Sequence, residues 1–186
     1  MRLRQARIAP LSDAELSDDQ KEVLKPFGSR VLNIFRTLAH APKALQRFNE
    51  WGGYVLSRRN DLAPREREIV ILRTGFLCKS GYEWTQHIAI AKREGLTDDE
   101  IARLKKGAEA GWSAADAALI RASDELHKDQ FVGDATWAAL GAHFTPKQCM
   151  DVVFTAGQYT QVSMMLNTFG VQLDAGLTLD PDLKGF

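Results

Sequence analysis

At several points along this chain a small hydroxyl residue stands three positions ahead of a carboxylate or an amide, the pattern with which a helix start satisfies its free N–H groups. Ser12 to Glu15, Ser17 to Gln20, Thr97 to Glu100 and Thr145 to Gln148 carry it in full, and Ser113 to Asp116 carries it in a weaker form. Pro64 and Pro146 stand where a first helical residue would, a place where the N–H that proline lacks has no partner to lose. No stretch alternates apolar and polar residues, and neither Asn-Gly nor Asp-Gly occurs. The chain is therefore predicted to be all-α, with helices near 12–26, 29–39, 42–59, 64–78, 81–94, 97–109, 113–128, 134–141 and 145–171. A non-helical tail from Leu173 onward is expected to pack on a neighbour or fray.

A length of 186 residues suits one domain, 1–186, that buries its own core. Hydrophobic residues at 45% and charged residues at 26% exclude a disordered or fibrous chain. Lys plus Arg and Asp plus Glu are each 24, so no footprint for nucleic acid or an anionic membrane surface is present. The start, Met1 to Arg7, has no apolar signal region, and runs such as Ile69 to Leu72 are too short to span a bilayer, which points to a cytoplasmic protein. Cys78 and Cys149 make no C-x-x-C pair and no disulfide framework.

Shifting the chain by 82 residues lays Leu62–Gly75 on Phe144–Gly157, with Pro, Val and Gly recurring identically. Arg65 meets Lys147, Glu66 meets Gln148, and Ile71-Leu72 meets Val153-Phe154, so the two helices are expected to share a packing role. Glu68 instead falls on Met150 and His87 on Phe169. If this two-part repeat is real, the first copy (core about 60–105) carries chemistry and the second (about 143–171) is structural.

Glu68 and Arg73 lie on one predicted helix with an apolar run between them, a setting in which a buried carboxylate needs a partner. On the next helix Glu83 and His87 are four residues apart and share a face. Two glutamates around one histidine make a reasonable proton-transfer set, because burial and neighbouring carboxylates move a histidine across working pH. The same Glu-x-x-x-His is also a common solvated surface pair. Imidazole and carboxylates suit Zn, Mn or Fe, but one such pair is no specific metal signature, so neither metal nor cofactor is assigned. Cys78 reads either as a core residue or as a thiol activated by nearby charge, and Cys149 as core. His40, His127 and His143 read as cap or surface residues. Gln158, Tyr159 and Asn167, on a late helix with a Met pair, read as core or as facing a pocket or a subunit interface.

The run Pro64 to Arg73, followed by Tyr82-Glu83-Trp84-x-x-His87-x-x-x-Ala91-x-x-x-Gly95-Leu96-Thr97-x-x-Glu100-Ile101, resembles the carboxymuconolactone decarboxylase family, which includes the AhpD-type alkylhydroperoxidases. Asn33 to Pro42 and Tyr159 to Val171 extend the resemblance over most of the chain. The peroxidases of that family carry Glu, eleven residues, Cys-x-x-Cys, three residues and His. Counted from Glu68, both Cys positions are absent, falling on Ser80 and Glu83, while the His falls on His87. The resemblance is thus to the branch without the Cys pair, which relies on a histidine for proton transfer to a lactone acid. It implies an AhpD-like helical subunit in a homo-oligomer, a trimer or a hexamer.

The expected function is acid–base chemistry, a decarboxylation or a related lyase or isomerase step, on a small organic acid or lactone. His87 would move the proton and Glu68 and Glu83 would orient it. Tyr82 and Trp84 would line the pocket, and Arg73 would hold a substrate carboxylate. The rival readings are a thiol-dependent peroxidase using Cys78 and a non-enzymatic helical oligomer. The last requires that Glu68, Glu83 and His87 form a closed network with no adjoining cavity.

Overall fold

In a computed structural model that describes residues 1–185, the chain is 64% helical with no strand among the described residues. Phe186 lies outside the described residues. The helices are α1 (Asp18–Leu24), α2 (Asn33–Leu38), α3 (Pro42–Val55), α4 (Pro64–Leu77), α5 (Gly81–Arg93), α6 (Asp98–Leu104), α7 (Ala114–Asp129), α8 (Asp134–Gly141) and α9 (Pro146–Phe169). No described helix is long and apolar enough to cross a membrane.

The caps act as their spacing implies. Ser17, Thr97 and Thr145 each accept from the N–H three residues on, and Gln20, Glu100 and Gln148 reach back to the cap's own N–H. Ser113 caps α7 from one side only, because Asp116 turns to Arg65 at 2.9 Å instead. The single helix expected over 12–26 is three short pieces, for a related reason. Ser12 and Ser17 each start an element of their own, the first turn ends on extended Leu16, and Pro26 sits in a further turn after α1. Other predicted helices start late or stop early: 29–39 begins at Asn33, 42–59 ends at Val55, and 97–109 ends at Leu104.

Helix α4 is the axis of the fold, packed by α5, α7 and α9. Every residue from Glu68 to Gly75 is buried, so this helix has no solvent face to give to its polar groups. α9 resembles α4 at its start. Glu66 Oε2 accepts from the Ala63 N–H at 3.0 Å, and Gln148 Oε1 accepts from the Thr145 N–H at 2.9 Å, so residues matched by the 82-residue shift perform the same capping task. The copies then diverge. The first turns at Cys78–Ser80, with Lys79 in the left-handed region at φ 55°, and starts α5, whereas the second runs unbroken to Phe169.

The tail corrects its expectation, because it docks on its own chain. Asp174 accepts from the Asn33 N–H at 2.9 Å, from Tyr82 Oη at 2.5 Å and from Gln86 Nε2 at 2.7 Å. Asp180 accepts from Trp84 Nε1 at 3.0 Å and from Lys105 Nζ at 2.8 Å. Charge-assisted bonds of this kind hold a segment whose helical content is a single 3-10 turn at Pro181–Leu183.

Candidate functional site

The turn at Cys78–Ser80 folds α5 back on α4, and this brings Glu68 and His87 together. His87 Nδ1 lies 2.8 Å from Glu68 Oε2, and His87 Nε2 lies 3.0 Å from Glu83 Oε1, one turn back on its own helix. Tyr159 arrives from α9 with Oη 3.2 Å from the same Nε2, its ring edge-on to the imidazole at 87°. All four side chains are buried, Glu68 most completely at 1% exposure.

Burial alone would push the imidazolium toward losing its proton. Hydrogen bonds to Glu68 and Glu83, and their charges, outweigh that and hold the His87 pKa up at about 10. At neutral pH both ring nitrogens therefore carry hydrogen, Nδ1–H donating to Glu68 and Nε2–H to Glu83. Burial first, and the two carboxylates second, push the Tyr159 pKa well above its usual range, so the phenol stays neutral. With its oxygen beside Nε2–H, the Tyr159 O–H is free to donate elsewhere.

The raised value makes a prediction about stability. The unfolded histidine titrates near 6.5, so the folded state keeps a proton that the unfolded state gives up above that pH. The contribution of His87 is fully present below about pH 6.5 and is lost as pH rises through about 10. Urea unfolding at intervals across that window should show stability falling with pH, and the fall should shrink in His87→Gln.

A cavity of 460 Å³ opens beside this cluster, with Glu83, His87 and Tyr159 on its wall and Glu68 behind the ring. The remaining lining comes mainly from Phe27, Phe35, Phe48, Val55, Ile90 and Val162, with no lysine or arginine among it. An open cavity at His87 removes the main requirement of the non-enzymatic reading, a closed polar network. Gly52 and Gly53, in the last turns of α3, also face it. A Cβ at Gly53 would meet nothing within 4 Å, so Gly53→Ala should stabilise α3 by about 0.5–1 kcal/mol in urea unfolding.

Three of the expected pocket residues fall elsewhere or do other work. Arg73 does not reach the cavity: its Nε donates to Asp124 at 2.5 Å and its Nη1 to the Leu104 carbonyl at 2.7 Å, so it binds no ligand there. Trp84 is fully buried in the main core against Phe76, with its indole N–H on Asp180. Tyr82 does line the cavity with its ring, while its hydroxyl is taken by Asp174. Cys78 belongs to a second surface cavity of 740 Å³, its Sγ 3.6 Å from His127 Nδ1, and burial pushes its thiol pKa up despite hydroxyls at Ser163 and Thr160. His127, expected as a cap or surface residue, thus faces the thiol. Cys149 is core, as read. The two carboxylates of the cluster bind opposite nitrogens of one ring, so the three side chains do not converge on a single point as metal ligands would. Tyr159 belongs to the cluster and was visible in sequence only as a polar group on a mixed helix, since no local spacing links it to a residue 72 positions away.

Comparison with known proteins bears on the fold. The carboxymuconolactone decarboxylase family model matches residues 42–124. A peroxidase-related protein from Ralstonia eutropha JMP134, described as an alkylhydroperoxidase AhpD core, superposes with TM-score 0.76 at 21% identity, covering 90% of this chain and 93% of that one. A peroxidase-related protein from Silicibacter sp. TM1040 gives TM-score 0.73 at 15% identity over 94% of this chain and 92% of that one. The debrominase Bmp8, solved with 2,3,4-tribromopyrrole, gives TM-score 0.72 at 9% identity over 92% of this chain and 94% of that one. No curated protein matches. Likenesses at these identities establish the helical fold.

Proposed function

From the match of residues 42–124 to the carboxymuconolactone decarboxylase family and from the AhpD-like fold, we propose that the chain is a member of that family and an acid–base enzyme using His87 as proton donor. The reaction is of the decarboxylase, lyase or isomerase kind, on a small organic substrate such as a lactone. The observation that carries the reading is a protonated imidazole, held by Glu68 behind it, at the wall of an open apolar cavity. Glu68 positions the ring. Glu83, on the cavity wall and bonded to Nε2, receives the proton that a carbon acid gives up, His87 Nε2–H returns a proton to that carbon and is recharged from Glu83, and the Tyr159 O–H donates a hydrogen bond to the oxygen on which charge develops.

The test is proton exchange. Small lactones and enolisable carbonyl compounds, incubated with the protein in D₂O, should take up deuterium at carbon by NMR, and His87→Asn should remove that uptake. Compounds that bind and exchange equally in both proteins would overturn the reading.

The contact between Cys78 and His127 favours one second reading, a thiol-dependent peroxide activity in the other cavity. It predicts that Cys78→Ser stops peroxide consumption in the presence of a thiol donor; undiminished consumption ends it. For assembly we propose a homo-oligomer, a trimer or hexamer, supported by the exposed apolar side chains Trp51, Leu56, Trp137 and Met150 and tested by light scattering on the purified protein. Two cysteines outside any disulfide support a reducing, cytoplasmic setting for the enzyme.

A further inference from the structure

The charge that a ligand meets in the cavity is set by three side chains. His87 is a cation whose two N–H bonds are both spent, Nδ1–H on Glu68 at 2.8 Å and Nε2–H on Glu83 at 3.0 Å. Two carboxylates around one imidazolium leave one negative charge over. Of the two it is Glu83 that stands on the cavity wall, with Glu68 behind the ring. Nothing else on that wall offsets the excess. Among the described residues no lysine or arginine lines the cavity, and Asn49, Gln86 and Gln158 bring dipoles without charge. Arg67, whose charge is felt at Tyr159, donates to the Ser57 carbonyl at 3.1 Å and opens on a different surface cavity. The backbone offers no substitute, because the N–H groups of Asn33 and Ile34 at the start of α2 are taken by Asp174 and Tyr82 Oη.

These charges restrict what can enter. A carboxylate would lose its water to walls built from Phe27, Phe35, Phe48, Ile90 and Val162, and would meet the like charge of Glu83 with no unspent cation in return. A charge acts through the wall it stands in, so this repulsion needs no contact between the two carboxylates. An ammonium would lose its water in the same way, and both carboxylates already serve the imidazolium. An uncharged ring meets neither cost and gains the burial of its apolar surface.

We infer that the cavity takes an uncharged ring compound, and that Glu83 is the residue that turns carboxylates away, by occupying His87 Nε2–H and setting a negative charge on the wall. This deepens the proton-transfer reading and rests on that same site. It also moves the expected substrate away from small organic acids and toward neutral carbonyl compounds, a lactone without a carboxylate among them.

The test reads binding, not turnover, on the whole chain. Calorimetric titration at pH 6 compares three compounds on one ring frame: the ketone 2-acetonaphthone, the similarly shaped anion 2-naphthoate, and the cation 2-naphthylmethylammonium. That pH lies below the ordinary histidine value, so the imidazolium persists with one carboxylate removed. The ketone should bind more than about tenfold tighter than either ion. Glu83→Gln keeps an acceptor for Nε2–H and removes the charge. It should raise 2-naphthoate affinity about tenfold, while ketone affinity moves by less than about threefold. A second measurement needs no variant. On the wild-type chain the apparent affinity for 2-naphthoate should rise about tenfold for each unit of pH lowered from 7 to 5, because it is the neutral acid that enters. Far-ultraviolet dichroism checks that Glu83→Gln folds. The inference is overturned if either ion binds the wild-type chain as tightly as the ketone, if none of the three binds, if folded Glu83→Gln keeps the wild-type discrimination, or if 2-naphthoate affinity is flat from pH 7 to 5. A chain that prefers the ketone but shows no exchange dependent on His87 keeps this ligand class and loses the proton-transfer reading. One that exchanges protons on a carboxylate-bearing substrate and ignores the ketone does the reverse.

Discussion

His87→Asn should lower deuterium uptake into substrate by about 10²–10⁴-fold, the range set by removing a positioned general acid–base group. The variant is chosen for its geometry. The asparagine amide nitrogen sits near the place of His87 Nδ1 and still donates to Glu68, so the loss of chemistry is not confounded by a wholly unpaired carboxylate behind the ring. Glu83 does lose its partner on Nε2, and an unfolding cost of about 1–3 kcal/mol should accompany the change. Ligand affinity should change far less than exchange, because the apolar walls are untouched. Glu68→Gln gives a separable signature. Removing one of the two groups that hold the imidazolium proton should move the alkaline limb of the exchange profile to lower pH, while a purely structural role would leave that limb in place.

Trp84→Ala should destabilise the protein by about 3–5 kcal/mol in urea unfolding, the largest effect expected of a single core change. The indole has no exposed surface, packs tilted with its ring centroid 5.4 Å from that of Phe76, and anchors Asp180 of the tail, so truncation opens a hole and deprives that carboxylate of a donor together. Trp84→Phe keeps a ring and loses only the hydrogen bond, and should cost less. Since Trp84 lies outside the cavity wall, exchange by folded Trp84→Phe at low temperature should stay near the wild-type rate. A specific loss of ligand binding there would return Trp84 to the pocket that its place in the motif suggests.

That reversal shows where sequence reading works and where it stops. Spacing placed Glu83 and His87 on one face because four residues on a helix return to the same side, and it placed Glu68 in an apolar run that demands a partner. The same arithmetic argues against Arg73 as a companion of Glu68. Five residues on a helix turn it about 140° away, onto the side that meets Asp124 of α7. Trp84 sits beside Glu83 in sequence and faces the core for a similar reason. The contributions of Tyr159 and Gln158 depend on how α9 crosses α4 and α5, which no periodicity within one helix reports. The tail was illegible on other grounds: Asp174 and Asp180 act through side chains rather than through any backbone pattern.

The paired glycines at the end of α3 have an implication for descent. Gly52 and Gly53 border the cavity yet touch none of the groups that hold the proton, so the space offered to a ligand and the acidity offered to it are written in different codons. A lineage can trim that space one methyl group at a time, gaining helix stability at each step, while the histidine and its two glutamates go on unchanged. Divergence in what such proteins accept should therefore accumulate first at these two positions, and only later, if at all, in the reaction itself.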